Sequence, residues 1–156
     1  MLSRKGKYGL KALVHLSRVP QGELALVGDI ASENSIPKKF LDAILGELRN
    51  AGFVTSRKGK GGGYRLARAA EDIRIGDVVR TLDGPLAPIS CASRTRYQRC
   101  DDCDEATCHV RRVMLEVREA IAGVLDARTL AQVRDIGDVD GLPTSAISIG
   151  ESAGPF

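Results

Sequence analysis

The segment from Pro37 to Ala67 constrains the fold more than any other part of the chain. Pro37 stands where a first-turn proline is tolerated, because its missing N–H would have no helical partner there. Phe40, Leu41, Ile44, Leu45 and Leu48 follow at helical spacing, and Gly52 stops the run. That spacing predicts a helix whose apolar stripe faces a core, leaving Lys38, Lys39, Asp42 and Ala43 on or near its outward side. Phe53-Val54-Thr55-Ser56 then reads as a strand and Gly63-Tyr64-Arg65-Leu66-Ala67 as its return. Between them lies Arg57-Lys58-Gly59-Lys60-Gly61-Gly62, a basic, glycine-rich hairpin tip. No Gly-Lys-Ser/Thr leads these glycines into a helix, which excludes a P-loop.

Two shorter helices precede this unit. Leu10, Leu13, Val14 and Leu16 recur among Lys5, Lys7, Lys11 and Arg18 over residues 3–18, and Pro20-Gln21-Gly22 breaks the pattern. Leu24, Leu26 and Val27 lead into a second helix through Ile30 and Ala31, punctuated by Asn34-Ser35. Three helices and a two-stranded hairpin, in that order, form a winged helix-turn-helix, so a mainly α fold with a small β wing is expected. In such a module one helix presents its positively polarised N-terminus to base edges, and the wing carries cations to phosphate or into the minor groove. Lys38 and Lys39 suit the first role; Arg57, Lys58 and Lys60 suit the second. Lys5, Lys7 and Tyr8 on the first helix add candidate phosphate contacts.

Charge supports the same partner. Residues 1–70 hold 13 Lys/Arg against 5 Asp/Glu, a balance of +8, whereas residues 71–156 hold 10 against 15, a balance of −5. A basic half on an acidic half suggests a polyanion-binding unit joined to something else. No apolar run reaches the roughly 20 residues needed to span a bilayer. The amphipathic N-terminus does not resemble a secretory signal, so a cytoplasmic protein is expected.

Beyond the hairpin, Ile75, Val78, Val79 and Leu82 predict a short fourth helix ending near Gly84-Pro85. All four cysteines then fall in one loop, spaced Cys91-x8-Cys100-x2-Cys103-x4-Cys108, with His109 next. Thiols crowded into one loop of a cytosolic chain read as a metal, cluster or redox site rather than a disulfide framework. Thiolates suit iron–sulfur clusters or zinc. Structural zinc more often takes two close cysteine pairs, and only Cys100 and Cys103 form one, so a cluster ranks above zinc and a metal-free thiol switch third. Arg94, Arg96 and Arg99 favour thiolates nearby, while Asp101, Asp102, Asp104 and Glu105 oppose them. His109 reads as a surface or capping residue and His15 as structural. Neither has a nucleophile-and-orienter set around it, so an enzyme is not expected.

From about Thr107 to Asp126 a longer helix is predicted. Val110, Val113, Val117, Ala120, Val124 and Ala127 alternate three and four apart like a coiled-coil seam, widened by Met114, Ile121 and Leu125. A symmetric homodimer is the favoured way to bury it. Leu130 and Val133 suggest a further turn or two, and from Gly137 onward a mobile tail is expected. The organisation read from the sequence is therefore a DNA-binding domain at 1–70, a short helix and connector at 71–90, a cysteine-rich sensor loop at 91–108, a dimerisation helix and docking turn at 109–136, and a tail at 137–156.

Several of these segments resemble a known family. Lys5-Gly6-Lys7-Tyr8, Phe40-Leu41 with Leu48-Arg49-Asn50-Ala51-Gly52-Phe53-Val54, and above all Gly61-Gly62-Gly63-Tyr64-Arg65-Leu66-Ala67 are similar to the Rrf family of bacterial regulators, whose iron–sulfur members are IscR, NsrR and RirA. The resemblance covers about residues 1–135. It implies a homodimer on palindromic double-stranded promoter DNA, usually a repressor, that senses iron, nitric oxide, redox state or cluster supply. By position, Asp42 matches the recognition-helix carboxylate that some members use in cluster-dependent base discrimination. Lys58 matches the wing arginine that enters the minor groove, and Gly61, Gly62 and Tyr64 lie in the shared wing motif. The resemblance further implies a [2Fe–2S] or [4Fe–4S] cluster on three cysteines. Cys91 and Cys108 match the outer ligands and either Cys100 or Cys103 the middle one; the fourth thiol departs from the pattern. Two other readings stay open: a zinc-stabilised or thiol-switch winged-helix module, and an iron–sulfur electron-transfer protein docking an acidic partner.

Overall fold

The computed structural model describes residues 2–136, so the expected tail at 137–156 lies outside the described residues. Helix α1 (Arg4–Ser17) starts at Ser3, whose hydroxyl accepts the Gly6 N–H. The Ser3 N–H in turn donates to Asp83 at 2.7 Å, pinning the start of α1 to the end of a helix eighty residues away. Gly6, Gly9, Ala12, Leu13 and Leu16 form the buried face of α1. Helix α2 (Val27–Asn34) ends at Ser35, which takes a left-handed φ of 53° and turns the chain into buried Ile36.

Helix α3 (Lys38–Asn50) begins after Pro37 and buries Leu41, Ile44, Leu45 and Leu48, as the periodicity requires. Phe40 departs from the expectation: it is 63% exposed and takes no part in the core. One helical step is roughly 100°, so Phe40 stands to the side of the stripe that Leu41 leads. Leaving it in water forgoes about 1.5–3 kcal/mol of burial.

Strands β1 (Val54–Arg57) and β2 (Gly63–Leu66) pair antiparallel, with Val54 opposite Leu66 and Arg57 opposite Gly63. Ala25, just before α2, exchanges two 2.8 Å backbone hydrogen bonds with Tyr64 and ties the hairpin to the helices. These contacts explain why three glycines stand in a row. Gly61 adopts a φ of 75°, a Cβ on Gly62 would strike the Arg57 carbonyl, and a Cβ on Gly63 would strike that of Ala25.

A 3-10 turn at Ala70–Asp72 leads to α4 (Ile75–Asp83), and a second at Ser90–Ala92 opens the cysteine loop. Helix α5 (His109–Ala127) and α6 (Leu130–Arg134) follow, the latter opened by a capping box between Thr129 and Gln132. The core is not confined to residues 1–70. Ile73, Val78, Leu82, Leu130 and Ala131 join Leu13, Ile30, Leu41 and Leu45 in one cluster, so α4 and α6 close the helix-turn-helix against α1. Backbone bonds from Ile75 to the Arg128 carbonyl and from Leu130 to that of Ile73 hold the end of α5 to the start of α4.

Helix α5 buries no residue completely. Met114, Leu115, Ile121 and Leu125 are half-buried, whereas Val110, Val113, Val117 and Val124 are exposed. Hence the widening residues of the seam turn toward the chain's own domain, and the three-four valine stripe turns away from it.

Candidate nucleic-acid interface and metal centre

The basic side chains named from the sequence lie at the start of α1, the first turn of α3 and the hairpin tip. The N-terminal position of Lys38 and Lys39 in α3 follows from Pro37, which leaves their N–H groups pointing out of the first turn. Lys38 reaches Asp42 at 3.2 Å along the helix surface, and Lys5 reaches Glu47 at 3.0 Å, joining α1 to α3. Both pairs are exposed and contribute little stability. Lys7, Lys39, Arg57, Lys58 and Lys60 are exposed, with no ion pair to another described residue. Arg49 near the end of α3 donates to Ser56 in β1 at 3.4 Å, fixing the wing against that helix. Tyr8 and Tyr64 are half-buried and pack on the core, so their rings are structural as well as near the basic elements. His15 contacts Asn34 at 3.2 Å, in keeping with a structural residue, and His109 is exposed at the first turn of α5.

All four cysteines line one cavity of about 510 Å³, together with Ile89, Asp102 and Val110. Cys91 is buried in the 3-10 turn after α4; Cys108 is the N-cap of α5 and accepts the Arg111 N–H through its sulfur at 3.4 Å. Helix start and sulfur thus coincide. The Arg111 N–H, followed by the thiol of Cys103, holds Cys108 below the ordinary thiol range and favours its thiolate. The neighbouring thiols of Cys100 and Cys108 push the Cys103 thiol up to about 12. Burial, followed by the neighbouring Cys100, raises Cys91.

All four cysteines therefore share one cavity, Cys100 and Cys103 from within the loop and Cys91 and Cys108 from its two ends. Cys100, Asp102 and Cys103 bring their ligand atoms within 4.8 Å of one another. The sequence presents Asp102 only as an opposing charge; its place inside the Cys100-x2-Cys103 pair is the signal for a ligand role. This donor set, thiol-rich around a cavity, fits an iron–sulfur cluster and also fits zinc.

The loop is held from inside and from α5. The Glu105 carboxylate accepts from the Tyr97 hydroxyl and from the Cys100 N–H at 3.1 Å, and these bonds hold it below the usual carboxylate range. Arg111 donates through Nε to the Cys91 carbonyl at 3.0 Å, and Arg118 donates to that of Ala92 at 2.7 Å. Two arginines on one face of α5 thereby grip the start of the loop, a link that sequence spacing does not reveal.

Below the loop, Arg80 of α4 forms a bidentate pair with Asp126 of α5 at 2.7 and 2.8 Å. Arg80 holds the Asp126 carboxyl below its ordinary range. A carboxyl so lowered contributes stability above its unfolded pKa, and loses it as pH falls through the folded value. Asp126→Asn is expected to cost about 0.5–1 kcal/mol at neutral pH. Acid denaturation followed by circular dichroism should show the gap from the parent closing below about pH 4; a constant gap would assign the loss to something other than the charge.

Comparison with known proteins agrees with this geometry. Residues 2–135 match the Rrf2 family, described as an iron-dependent transcriptional regulator. The chain is 42% identical over 142 residues to an rrf2-like protein of Rhodobacter capsulatus named as an HTH-type transcriptional regulator, covering 88% of this chain and 95% of that one. Among solved structures, it is similar to CymR, the global cysteine regulator of B. subtilis, with a TM-score of 0.73 and 30% identity over 88% of this chain and 98% of that one. The IscR of T. potens aligns with a TM-score of 0.71 and 28% identity over 92% of each chain. These relatives are regulators, not enzymes, in agreement with the reading of the two histidines. Among the described residues no helix is long and apolar enough to cross a membrane. With winged helix, hairpin and matched length in agreement, the chain belongs to the Rrf2 family of winged-helix transcriptional regulators.

Proposed function

We propose that this regulator is a cytoplasmic homodimeric repressor that senses iron, redox or nitrosative state through an iron–sulfur cluster on the cysteine loop. The observation carrying this reading is the single cavity shared by Cys91, Cys100, Cys103 and Cys108 between the Ser90–Ala92 turn and the start of α5. Cys91 and Cys108 are assigned as outer ligands, with Cys103, whose ligand atom lies within 4.8 Å of those of Cys100 and Asp102, as the middle one. Cys100 and Asp102 remain at hand as further donors. A bound cluster supplies one-electron redox chemistry and a site of attack for nitric oxide. The chain's own part is mechanical. Arg111 and Arg118 couple the Cys91–Ala92 backbone to α5, so reordering of residues 91–108 shifts α5 and with it the spacing of two winged helices. Half-sites on duplex DNA sit at fixed separations, so affinity changes steeply with that spacing.

Protein purified without oxygen is expected to show visible charge-transfer absorbance with matching iron and sulfide. Cys91→Ala, Cys103→Ala and Cys108→Ala should each abolish them, while Cys100→Ala retains part. One zinc per chain and no iron would replace this reading with a zinc-stabilised regulator. Neither metal, with reversible thiol oxidation altering DNA affinity, would replace it with a thiol switch.

A further inference from the structure

We propose that Phe40 reads the 5-methyl group of a thymine in each operator half-site, which makes it a specificity-determining residue of the DNA complex. The inference rests on α3 being the helix that enters the major groove. Phe40 occupies the first turn of α3, its N–H directed at the Pro37 carbonyl at 3.0 Å, at the end of the helix that meets base edges. Its ring is 63% exposed while Leu41, Ile44, Leu45 and Leu48 fill the core side, and Phe53, the other described phenylalanine, is 3% exposed. Ala43, one turn on, is also exposed, so the two residues form a small apolar strip beside Lys39.

A phenyl ring neither donates nor accepts hydrogen bonds and can read a base edge only by apolar contact. The major-groove edges of B-DNA carry one apolar protrusion, the thymine methyl. Lysines at positions 38 and 39 hold phosphate and set the depth at which the ring enters, while the ring supplies a base-dependent term that they lack.

The test uses the full-length protein and an operator selected by it from a random duplex library. Each thymine is replaced in turn by deoxyuridine, which removes only the methyl group. For the parent, one position per half-site should weaken binding about fourfold, the factor carried by one buried methyl. Phe40→Ala should bind the thymine operator at least as weakly as the parent binds that deoxyuridine operator, and should show no further loss on it. Phe40→Tyr, which keeps the ring, should stay methyl-sensitive. Both variants should melt and sediment as the parent does, since the ring is exposed. An alanine variant that binds as the parent does would overturn the inference, as would equal losses on operator and random duplex, which mark a sugar–phosphate contact. A changed melting point or oligomeric state would overturn it too, by showing a structural role. Lys39→Ala run in parallel separates the two layers: if it also leaves operator affinity unchanged, the assignment of α3 itself fails.

Discussion

Replacing Lys39 and Lys58 together by alanine is expected to weaken operator binding about a thousandfold at physiological salt. Each lost phosphate contact costs on the order of 1 kcal/mol, and a dimer would lose about four of them. The signature is in the salt dependence. The slope of log affinity against log salt should become shallower by about three to four, because fewer condensed counterions are released. Both lysines are exposed and without an ion pair to a described residue, so thermal unfolding should be unchanged. Titrations at several salt concentrations on operator and random duplex check both numbers. An unchanged slope would mean that neither side chain meets phosphate. Lys5 and Lys38, which pair with Glu47 and Asp42 in the free protein, should give smaller losses, since a partner must be released before either meets DNA.

The second large effect concerns α5. Glutamate at both Val113 and Val117 is expected to convert the proposed homodimer to a monomer, measurable by sedimentation. It should lower operator affinity by two to four orders of magnitude through lost effective concentration at the second half-site. The two valines are 52% and 37% exposed in a single chain, and with Val124 they line the face that turns away from the domain. Two adjacent carboxylates per helix, facing their own copies across a twofold axis, combine like-charge repulsion with desolvation. Cluster content should survive, because Arg111, Met114 and Arg118, which face the loop and the domain, are untouched. A variant that remains dimeric would place the interface on another surface.

Fold and candidate site were legible in the sequence to different degrees. Helix α3 was readable because Leu41, Ile44, Leu45 and Leu48 repeat at the helical period and Pro37 and Gly52 mark its ends. The wing was readable because a positive φ and two backbone close approaches leave glycine as the residue that fits at 61 to 63. Phe40 was misplaced by the same reasoning. Periodicity states which residues share a stripe, but hydrophobicity alone does not show that one at the stripe's edge stays in water. The contribution of α4 and α6 to the core was equally hidden, since their partner α1 lies far away along the chain.

At the cysteines, spacing points to a candidate site but not to its arrangement. Which sulfurs touch depends on the path of residues 91–108 through three dimensions. That path is held by Glu105 to Tyr97 and Cys100, and by Arg111 and Arg118 to the Cys91 and Ala92 carbonyls. Arginine-to-carbonyl bonds leave no periodic trace, because any exposed arginine would look the same in the sequence.

Local rules were thus enough for the helices, the hairpin, the basic wing and the presence of a thiol-rich loop, for each depends on neighbours within a few turns of chain. Tertiary structure alone decided that Phe40 faces solvent, that α4 and α6 complete the core, that all four cysteines share one cavity, and that α5 grips the loop with one face while leaving its valines outward. The physical reason is that such contacts join residues distant in sequence. Their geometry follows from how whole elements pack, which no local pattern encodes.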